Sequence, residues 1–243
     1  MNWVFPIAGY GTRTKKLGNY KPLIEIFPSR SILNICLSGL KTIISPEDRL
    51  IFIASEAQES KYSVGENINK ILYDLDLKNQ FNVVLLDKTP PGQALTIKNG
   101  VEKLEEKVLK NKTFVVNSDQ FVFFDFESID LEKPAAGLYF NDTSSSCFYN
   151  LDIEKHVVNE IKEKEKISCY ASSGVFYFPS AQDLINCIKW GIKEDKRYNN
   201  ELYLGPCMGF FDNLSYFQTL IKFDLGNNKK IDLFKKVIKG MEI

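Results

Sequence analysis

The sequence lacks the features that mark several broad classes of protein. Lys plus Arg and Asp plus Glu each total 31 among 243 residues, so no charge excess favours nucleic acid or an anionic membrane surface. No apolar run approaches the ~20 residues of a membrane span, and residues 1–6 lack the basic region and longer apolar run of a signal peptide. We therefore expect a cytoplasmic protein that binds neither nucleic acid nor membrane.

Cysteine and histidine are too scattered or too few for the chemistry that they often carry. The five cysteines show no CxxC spacing, so neither a zinc site nor a disulfide framework is indicated, and we expect partly buried thiols. His156 is the only histidine, and its neighbours favour an ordinary strand position. No serine or cysteine lies in a recognisable nucleophile context, which argues against a catalytic triad and covalent catalysis.

Short apolar runs alternate with helical patterns in the first half of the chain. With 44% hydrophobic residues the chain can bury a full core, and we expect a single domain over 1–243. Buried strands are predicted at 3–8, 50–54, 81–86 and 113–117, with helices at 32–44 and 94–108. This order predicts a mainly parallel sheet with helices on both faces.

The second half of the chain is richer in strand-like segments. Strands are predicted at 136–140, 145–151, 156–161, 172–178 and 219–224, and helices at 181–192 and 229–239. No internal repeat is present, in particular no hexapeptide repeat of a β-helix. The fold class predicted is therefore α/β, with a sheet that becomes mixed after Asp119.

A glycine-rich segment, Gly9-Tyr10-Gly11-Thr12-Arg13, follows the first predicted strand, and Lys21 lies eight residues beyond Arg13. Glycines let backbone N–H groups approach phosphate oxygens, and the two basic side chains can neutralise charge on a phosphorus. The segment is neither a dinucleotide-binding GxGxxG nor a P-loop, since Thr14 follows Arg13 and no G-K-[ST] is present. From the spacing alone, a glycine turn with exposed basic residues is an equal alternative.

Two aspartates and one lysine are further candidates for phosphate chemistry. Asp119 follows a predicted parallel strand, whose carboxyl edge is where such sheets bind ligands, and Asp224 ends another apolar run. Both carboxylates are suitable oxygen donors to one magnesium ion, although each is alternatively an ordinary turn residue. Lys164, in a Glu163–Lys166 charge run, can pair with a substrate phosphate or lie in a solvated hairpin edge.

Taken together, these segments resemble the sugar-phosphate nucleotidyltransferase family. The resemblance covers nearly the whole chain in the family's order, from G-x-G-[ST]-R and K-P-L through Gly92-Gln93-Ala94 and Asn117–Gln120 to Glu163-Lys164, Asn199–Tyr203 and Asp224–Gly226. It is greatest to the branch found with bacterial capsule and surface-polysaccharide genes. Ser118 and Asn227 depart from the family's usual Gly-Asp and Gly-Thr pairs.

The resemblance implies a three-layer α/β/α nucleotide-diphospho-sugar transferase fold, Rossmann-like and GT-A-like, with a mixed central sheet. It implies transfer of NMP from an NTP to a phosphorylated small molecule, such as a sugar 1-phosphate, with release of pyrophosphate. Expected roles are nucleotide binding for Ala8, Gly9, Gly11, Thr12, Gln93 and Ser118, catalysis for Arg13 and Lys21, acceptor binding for Glu163, Lys164, Gly174 and Glu201, and Mg²⁺ binding for Asp119 and Asp224.

Other functions stay open at this point. A cytidylyltransferase acting on a non-sugar phosphate fits the same chemistry, and the base, the acceptor and a homo-oligomeric state are all unspecified. A glycosyltransferase of the same general fold is disfavoured, because Ser118-Asp119-Gln120 lacks the D-x-D metal motif. A catalytically idle homologue is disfavoured by the presence of Arg13, Lys21, Asp119 and Asp224.

Overall fold

A computed structural model describes residues 1–9, 20–143 and 146–241 of the protein, the side chain of Met241 excepted. Its strands are β1 (Asn2–Pro6), β2 (Glu25–Phe27), β3 (Arg30–Ser31), β4 (Arg49–Ser55), β5 (Gln80–Leu86), β6 (Thr113–Val116), β7 (Gln120–Phe124), β8 (Ala135–Phe140), β9 (Cys147–Asp152), β10 (Val157–Glu163), β11 (Tyr170–Phe178), β12 (Arg197–Tyr198), β13 (Glu201–Leu202) and β14 (Ser215–Asp224). Its helices are α1 (Ile32–Leu40), α2 (Glu56–Tyr62), α3 (Val64–Asp74), α4 (Gln93–Val101), α5 (Glu106–Leu109), α6 (Ala181–Lys193), α7 (Leu204–Cys207) and α8 (Asn228–Met241).

Ten strands form one mixed sheet. The order is β5-β4-β1-β6-β11-β8-β14-β7, with β9 paired to β11 and β10 paired to β9. The four strands β5, β4, β1 and β6 are parallel, whereas β11 is antiparallel to both β6 and β8. The predicted mixed α/β sheet is therefore confirmed: its four-strand parallel block comes from the first half of the chain, and β14 pairs parallel with β8 in the second half.

Helices cover both faces of the sheet, as predicted. Side chains of β1 alternate between two cores: Trp3 and Phe5 pack with Leu37 of α1, and Val4 packs with Ile97 of α4 on the opposite face. All five side chains are fully buried, and burial of each large apolar side chain stabilises the fold by roughly 1.5–3 kcal/mol. The predicted three-layer architecture is confirmed. The prediction of a single domain over 1–243 stays a prediction.

A third, smaller apolar cluster joins segments that are distant in sequence. It contains residues of the β2 region, α1 and α8, namely Ile24, Ile26, Ile32, Ile35, Leu225, Ile231 and Phe234. Because Leu225 directly follows Asp224 and Ile24 lies three residues after Lys21, this cluster holds both functional candidates at the same end of the sheet.

Two local predictions were wrong. The helix predicted at 94–108 is interrupted, because Lys103 and Leu104 donate tight three-residue hydrogen bonds to Gly100 and Val101 and Glu105 has extended backbone. His156, predicted to begin the strand at 156–161, instead lies in the turn between β9 and β10 with φ 54°. Within the described ranges, no helix combines the length and apolar character that a membrane span requires.

Candidate functional site

The predicted nucleotide segment begins at the carboxyl end of β1. The Ala8 carbonyl accepts hydrogen bonds from Gln58 Nε2 at 3.0 Å and from Thr89 Oγ1 at 2.9 Å, and Gly9 follows as an exposed residue. Ser118 Oγ donates to the Pro6 carbonyl at 3.4 Å. Ala8, Gly9 and Ser118 therefore lie together at one edge of the sheet. The predicted residues Gly11, Thr12 and Arg13 lie outside the described residues.

Gln58 rigidifies this edge through the start of α2. Ser55 caps the helix by accepting from the Gln58 backbone, while the Gln58 side chain accepts from the Ser55 backbone at 2.9 Å. This reciprocal capping box leaves the Gln58 amide nitrogen to hold Ala8. The position of the first predicted loop residue is thus determined by a helix that the sequence patterns did not reveal.

The predicted base-contacting residue, Gln93, begins α4 and donates a hydrogen bond to Asn117 Oδ1. Gly92 has φ 95°, and a Cβ there would lie 2.7 Å from the Leu202 backbone nitrogen. Gly174 has φ 78°, and a Cβ there would lie 2.5 Å from Asn117 Nδ2. Both positions require glycine, because left-handed backbone and a missing side chain are needed together. Gln93 and the acceptor candidate Gly174 therefore meet at Asn117.

The two candidate metal ligands converge through the register of two strands. β14 pairs antiparallel with β7 so that Asp224 lies opposite Gln120, the residue after Asp119, and Leu225 N donates to the Asp119 carbonyl at 2.8 Å. A Cβ built on Gly226 would lie 2.6 Å from Asp224 Oδ1 and 3.4 Å from Asp119 Oδ2. Both carboxylates therefore face the same small space.

Each of these carboxylates is paired with a lysine. Lys21 Nζ lies 2.5 Å from Asp119 Oδ2, and Lys230 Nζ lies 2.5 Å from Asp224 Oδ2. Burial acts to raise the pKa of Asp224, but the hydrogen bond and charge of Lys230, together with the Gly226 N–H and the charge of Lys222, outweigh it and hold the pKa below its usual value. Asp224 is therefore anionic at neutral pH, and each of the two carboxylates already holds a cation.

The donor set fits a magnesium ion. The described residues contain no cluster of three or more His, Cys, Asp or Glu side chains arranged for a metal. The candidate ligands at this edge of the sheet are the carboxylates of Asp119 and Asp224. Magnesium is commonly bound through one or two carboxylates, with water and substrate phosphates completing its shell. Asp119 and Asp224 therefore match the number and type of protein ligands that magnesium commonly has.

The predicted acceptor residues Glu163, Lys164 and Glu201 form a group around Tyr203. Lys164 Nζ lies 3.3 Å from Glu163 Oε1 and 5.9 Å from the Tyr203 ring centroid. The Tyr203 hydroxyl donates to Glu201. The Glu163 side chain is only 9% exposed, and burial together with this carboxylate raises the pKa of Cys147 well above its usual value. Lys164 is thus paired with the nearly buried carboxylate of Glu163.

A further lysine, Lys222, lies in the same region and was missed in the sequence. Its half-buried ammonium donates to the Ser172 carbonyl at 3.3 Å and lies 4.3 Å from the Tyr139 ring centroid. Burial lowers the pKa of Lys222 to about 8, against the attraction of Asp224 and Asp119. The alternation of β14 was a usable signal, because residues two apart share a face and Asp224 had been singled out.

The predicted site residues that the structure describes thus lie at one edge of the sheet, in the order nucleotide, carboxylates and acceptor. Their individual roles stay predictions. The geometry adds Asn117, Tyr203, Lys222 and Lys230 to the set. Several lysines lie next to carboxylates in this region, and such lysines are suited to binding phosphate groups.

Comparison with solved structures shows the fold. A nucleoside-diphosphate-sugar pyrophosphorylase from Vibrio cholerae superposes with a TM-score of 0.82 at 20% identity, covering 96% of this chain and 99% of that chain. An inositol-1-phosphate CTP transferase from T. maritima gives a TM-score of 0.69 at 14% identity, with 98% and 96% covered. The CTP:phosphocholine cytidylyltransferase of Streptococcus pneumoniae gives 0.64 at 14% identity, with 98% of each chain covered.

No protein-family model and no curated protein matches this sequence. The structural likenesses therefore establish which fold the chain has, and at 20% identity or less they leave its reaction to be argued from the site.

Proposed function

We propose that this protein is a nucleotidyltransferase that transfers NMP from an NTP to the phosphate of a small acceptor and releases pyrophosphate. The observation that carries the proposal is the convergence of Lys21, Asp119 and Asp224 in one space at the sheet edge. The base candidate Gln93 and the acceptor candidate Lys164 lie at the same edge of the sheet.

The reaction needs charge stabilisation and positioning more than it needs a base. An oxygen of the acceptor phosphate forms a bond to the α-phosphorus while the bond from that phosphorus to the bridging oxygen of pyrophosphate breaks. The nucleophile is already anionic at neutral pH, so no proton has to be removed from it. His156, whose Nε2 is hydrogen-bonded with the Tyr216 carbonyl at 2.9 Å, accordingly has no part in the mechanism.

We propose a separate role in the reaction for each of several residues. Lys21, whose ammonium already lies among the carboxylates, would neutralise charge that develops at the α-phosphorus. Arg13 would stabilise the departing pyrophosphate, and the backbone around Gly9 would bind the nucleotide phosphates. Gln93 would contact the base while Asn117 keeps its side-chain amide in place.

Asp119 and Asp224 would hold Mg²⁺, which, when bound, would offset negative charge on the substrate phosphates. The pairing of these carboxylates with Lys21 and Lys230 supports the assignment, since both positions already accept a cation at 2.5 Å. Lys21 and Lys230 would turn from the carboxylates toward phosphate oxygens when the metal is present.

For the acceptor we propose a sugar 1-phosphate or a similar metabolite, used for capsule or surface-polysaccharide precursors. The motif resemblance and the fold shared with a nucleoside-diphosphate-sugar pyrophosphorylase support this choice. The second candidate is a cytidylyltransferase acting on a non-sugar phosphate. It is favoured by the two CTP-using proteins of the same fold.

A substrate screen tests the proposal. Pyrophosphate release is measured with Mg²⁺ for each of the four ribonucleoside triphosphates and dTTP, against hexose 1-phosphates and phosphocholine. We expect release that requires both one NTP and one acceptor, and the productive pair identifies the reaction. Absence of release for every pair, or transfer of a glycosyl group from an NDP-sugar, would refute the proposal.

A further inference from the structure

Lys222 is a half-buried cation without an anionic partner. Lys222 forms no salt bridge with a carboxylate anywhere in residues 1–9, 20–143 and 146–241. An ammonium group has three N–H donors, and the contact with the Ser172 carbonyl at 3.3 Å uses one of them. A desolvated charge with unused donors is costly unless a ligand supplies the missing acceptors.

Charged groups of opposite kinds surround this ammonium. Asp224 and Asp119 attract it, whereas Lys230 and Lys164 repel it. If Asp119 and Asp224 hold a divalent cation, their attraction is cancelled and Lys222 is left among positive charges. An anion bound between Lys222 and Lys164 relieves this repulsion, and a neutral ligand does not.

The position of Lys222 indicates which substrate anion binds beside it. Its ammonium reaches Ser172 on β11, the strand that also carries the predicted acceptor residue Gly174. The predicted nucleotide residues Ala8 and Gly9 instead follow β1, which is separated from β11 by β6. Lys222 thus lies on the acceptor side of the carboxylate pair.

We propose that Lys222 binds the phosphate of the acceptor substrate together with Lys164, an inference that rests on the proposed function. Two ammonium groups match a phosphate dianion, and the Tyr139 ring, whose centroid lies 4.3 Å from the Lys222 ammonium, helps to hold that ammonium in place. Lys222 therefore selects acceptors by their phosphate charge and leaves recognition of the NTP to the other end of the site.

Steady-state kinetics of Lys222→Met test this assignment, because methionine keeps most of the unbranched apolar stem of the side chain and removes its charge. We expect the acceptor KM to rise about tenfold or more, as for loss of a charged hydrogen bond, while the NTP KM is unchanged. Lys222→Arg restores part of the acceptor affinity. The matched control is Lys78→Met, whose side chain is 85% exposed and pairs only with the exposed Asp76.

An unchanged acceptor KM in Lys222→Met overturns the proposal, and so does a fall in kcat with both KM values unchanged. Equal loss of affinity for NTP and acceptor, without rescue by Lys222→Arg, indicates a structural role and also overturns it. If wild-type protein releases no pyrophosphate with any pair, the proposed function fails. Whether Lys222 is part of an anion site is then tested separately by thermal unfolding in inorganic phosphate. Stabilisation of wild type but not of Lys222→Met supports an anion site, and equal or absent stabilisation refutes one.

Discussion

Gly174→Ala perturbs the point at which β11, Asn117 and Gln93 meet. At φ 78° an alanine lies in the left-handed region, which costs roughly 1–2 kcal/mol for a residue with a Cβ. The new Cβ would also lie 2.5 Å from Asn117 Nδ2 and 2.8 Å from Asn117 Cγ, closer than ordinary contact. Overpacking of this kind costs about 1–3 kcal/mol. The expected destabilisation is therefore about 2–5 kcal/mol.

The perturbation also has a functional consequence. Relief of the clash requires the Asn117 side chain to move, which removes the hydrogen-bond acceptor of Gln93. We therefore expect weaker nucleotide binding in addition to the loss of stability. The difference from a merely unstable variant is that the stabilising effect of added NTP shrinks relative to wild type.

Urea unfolding and thermal unfolding with and without NTP measure both effects. For a chain of this size we expect the melting temperature to fall by roughly 5–15 °C. Gly240→Ala is the matched control, because nothing lies within 4 Å of a Cβ at this position in α8. Alanine there should stabilise by up to about 1 kcal/mol through helix propensity. Stability of Gly174→Ala within about 0.5 kcal/mol of wild type would refute the reasoning.

Three further predictions follow from other parts of the molecule. Asp119→Asn should lower pyrophosphate release at least a hundredfold and weaken Mn²⁺ binding measured by electron paramagnetic resonance, whereas exposed Asp125→Asn should change neither. In native protein at pH 8 only Cys169 should react rapidly with a disulfide reagent, because the other four thiols are buried and burial raises the pKa of each; rapid reaction of two or more contradicts this. Asp48→Ala should destabilise by about 1–3 kcal/mol in urea unfolding, since it leaves the buried Trp3 indole N–H without the acceptor now 2.9 Å away; an unchanged midpoint contradicts this.

The strands of the parallel half were predictable because buried parallel strands are continuous apolar runs. The predicted segment 50–54 lies within the buried strand β4, and 81–86 lies within β5, which is an edge strand and only partly buried. The end of α4 was not predictable in the same way, since residues 102–105 contain neither proline nor glycine. There the chain leaves the helix through tight hydrogen bonds and the extended backbone of Glu105. For the elements that were predicted, local pattern thus recovered the type better than the boundaries, and it missed α2 and α3.

At the site, the difference between what the sequence predicts and what only the fold decides is larger. The sequence alone determined that Asp119 and Asp224 follow apolar runs and that Lys21 begins a K-P-L motif, because short motifs are local. Only the tertiary structure decided which charges meet. Lys21 and Asp119 are 98 residues apart, and Lys222 and Ser172 are 50 residues apart. Contacts over such separations depend on strand order and register in the sheet, which are determined by the packing of the whole core and by no local pattern.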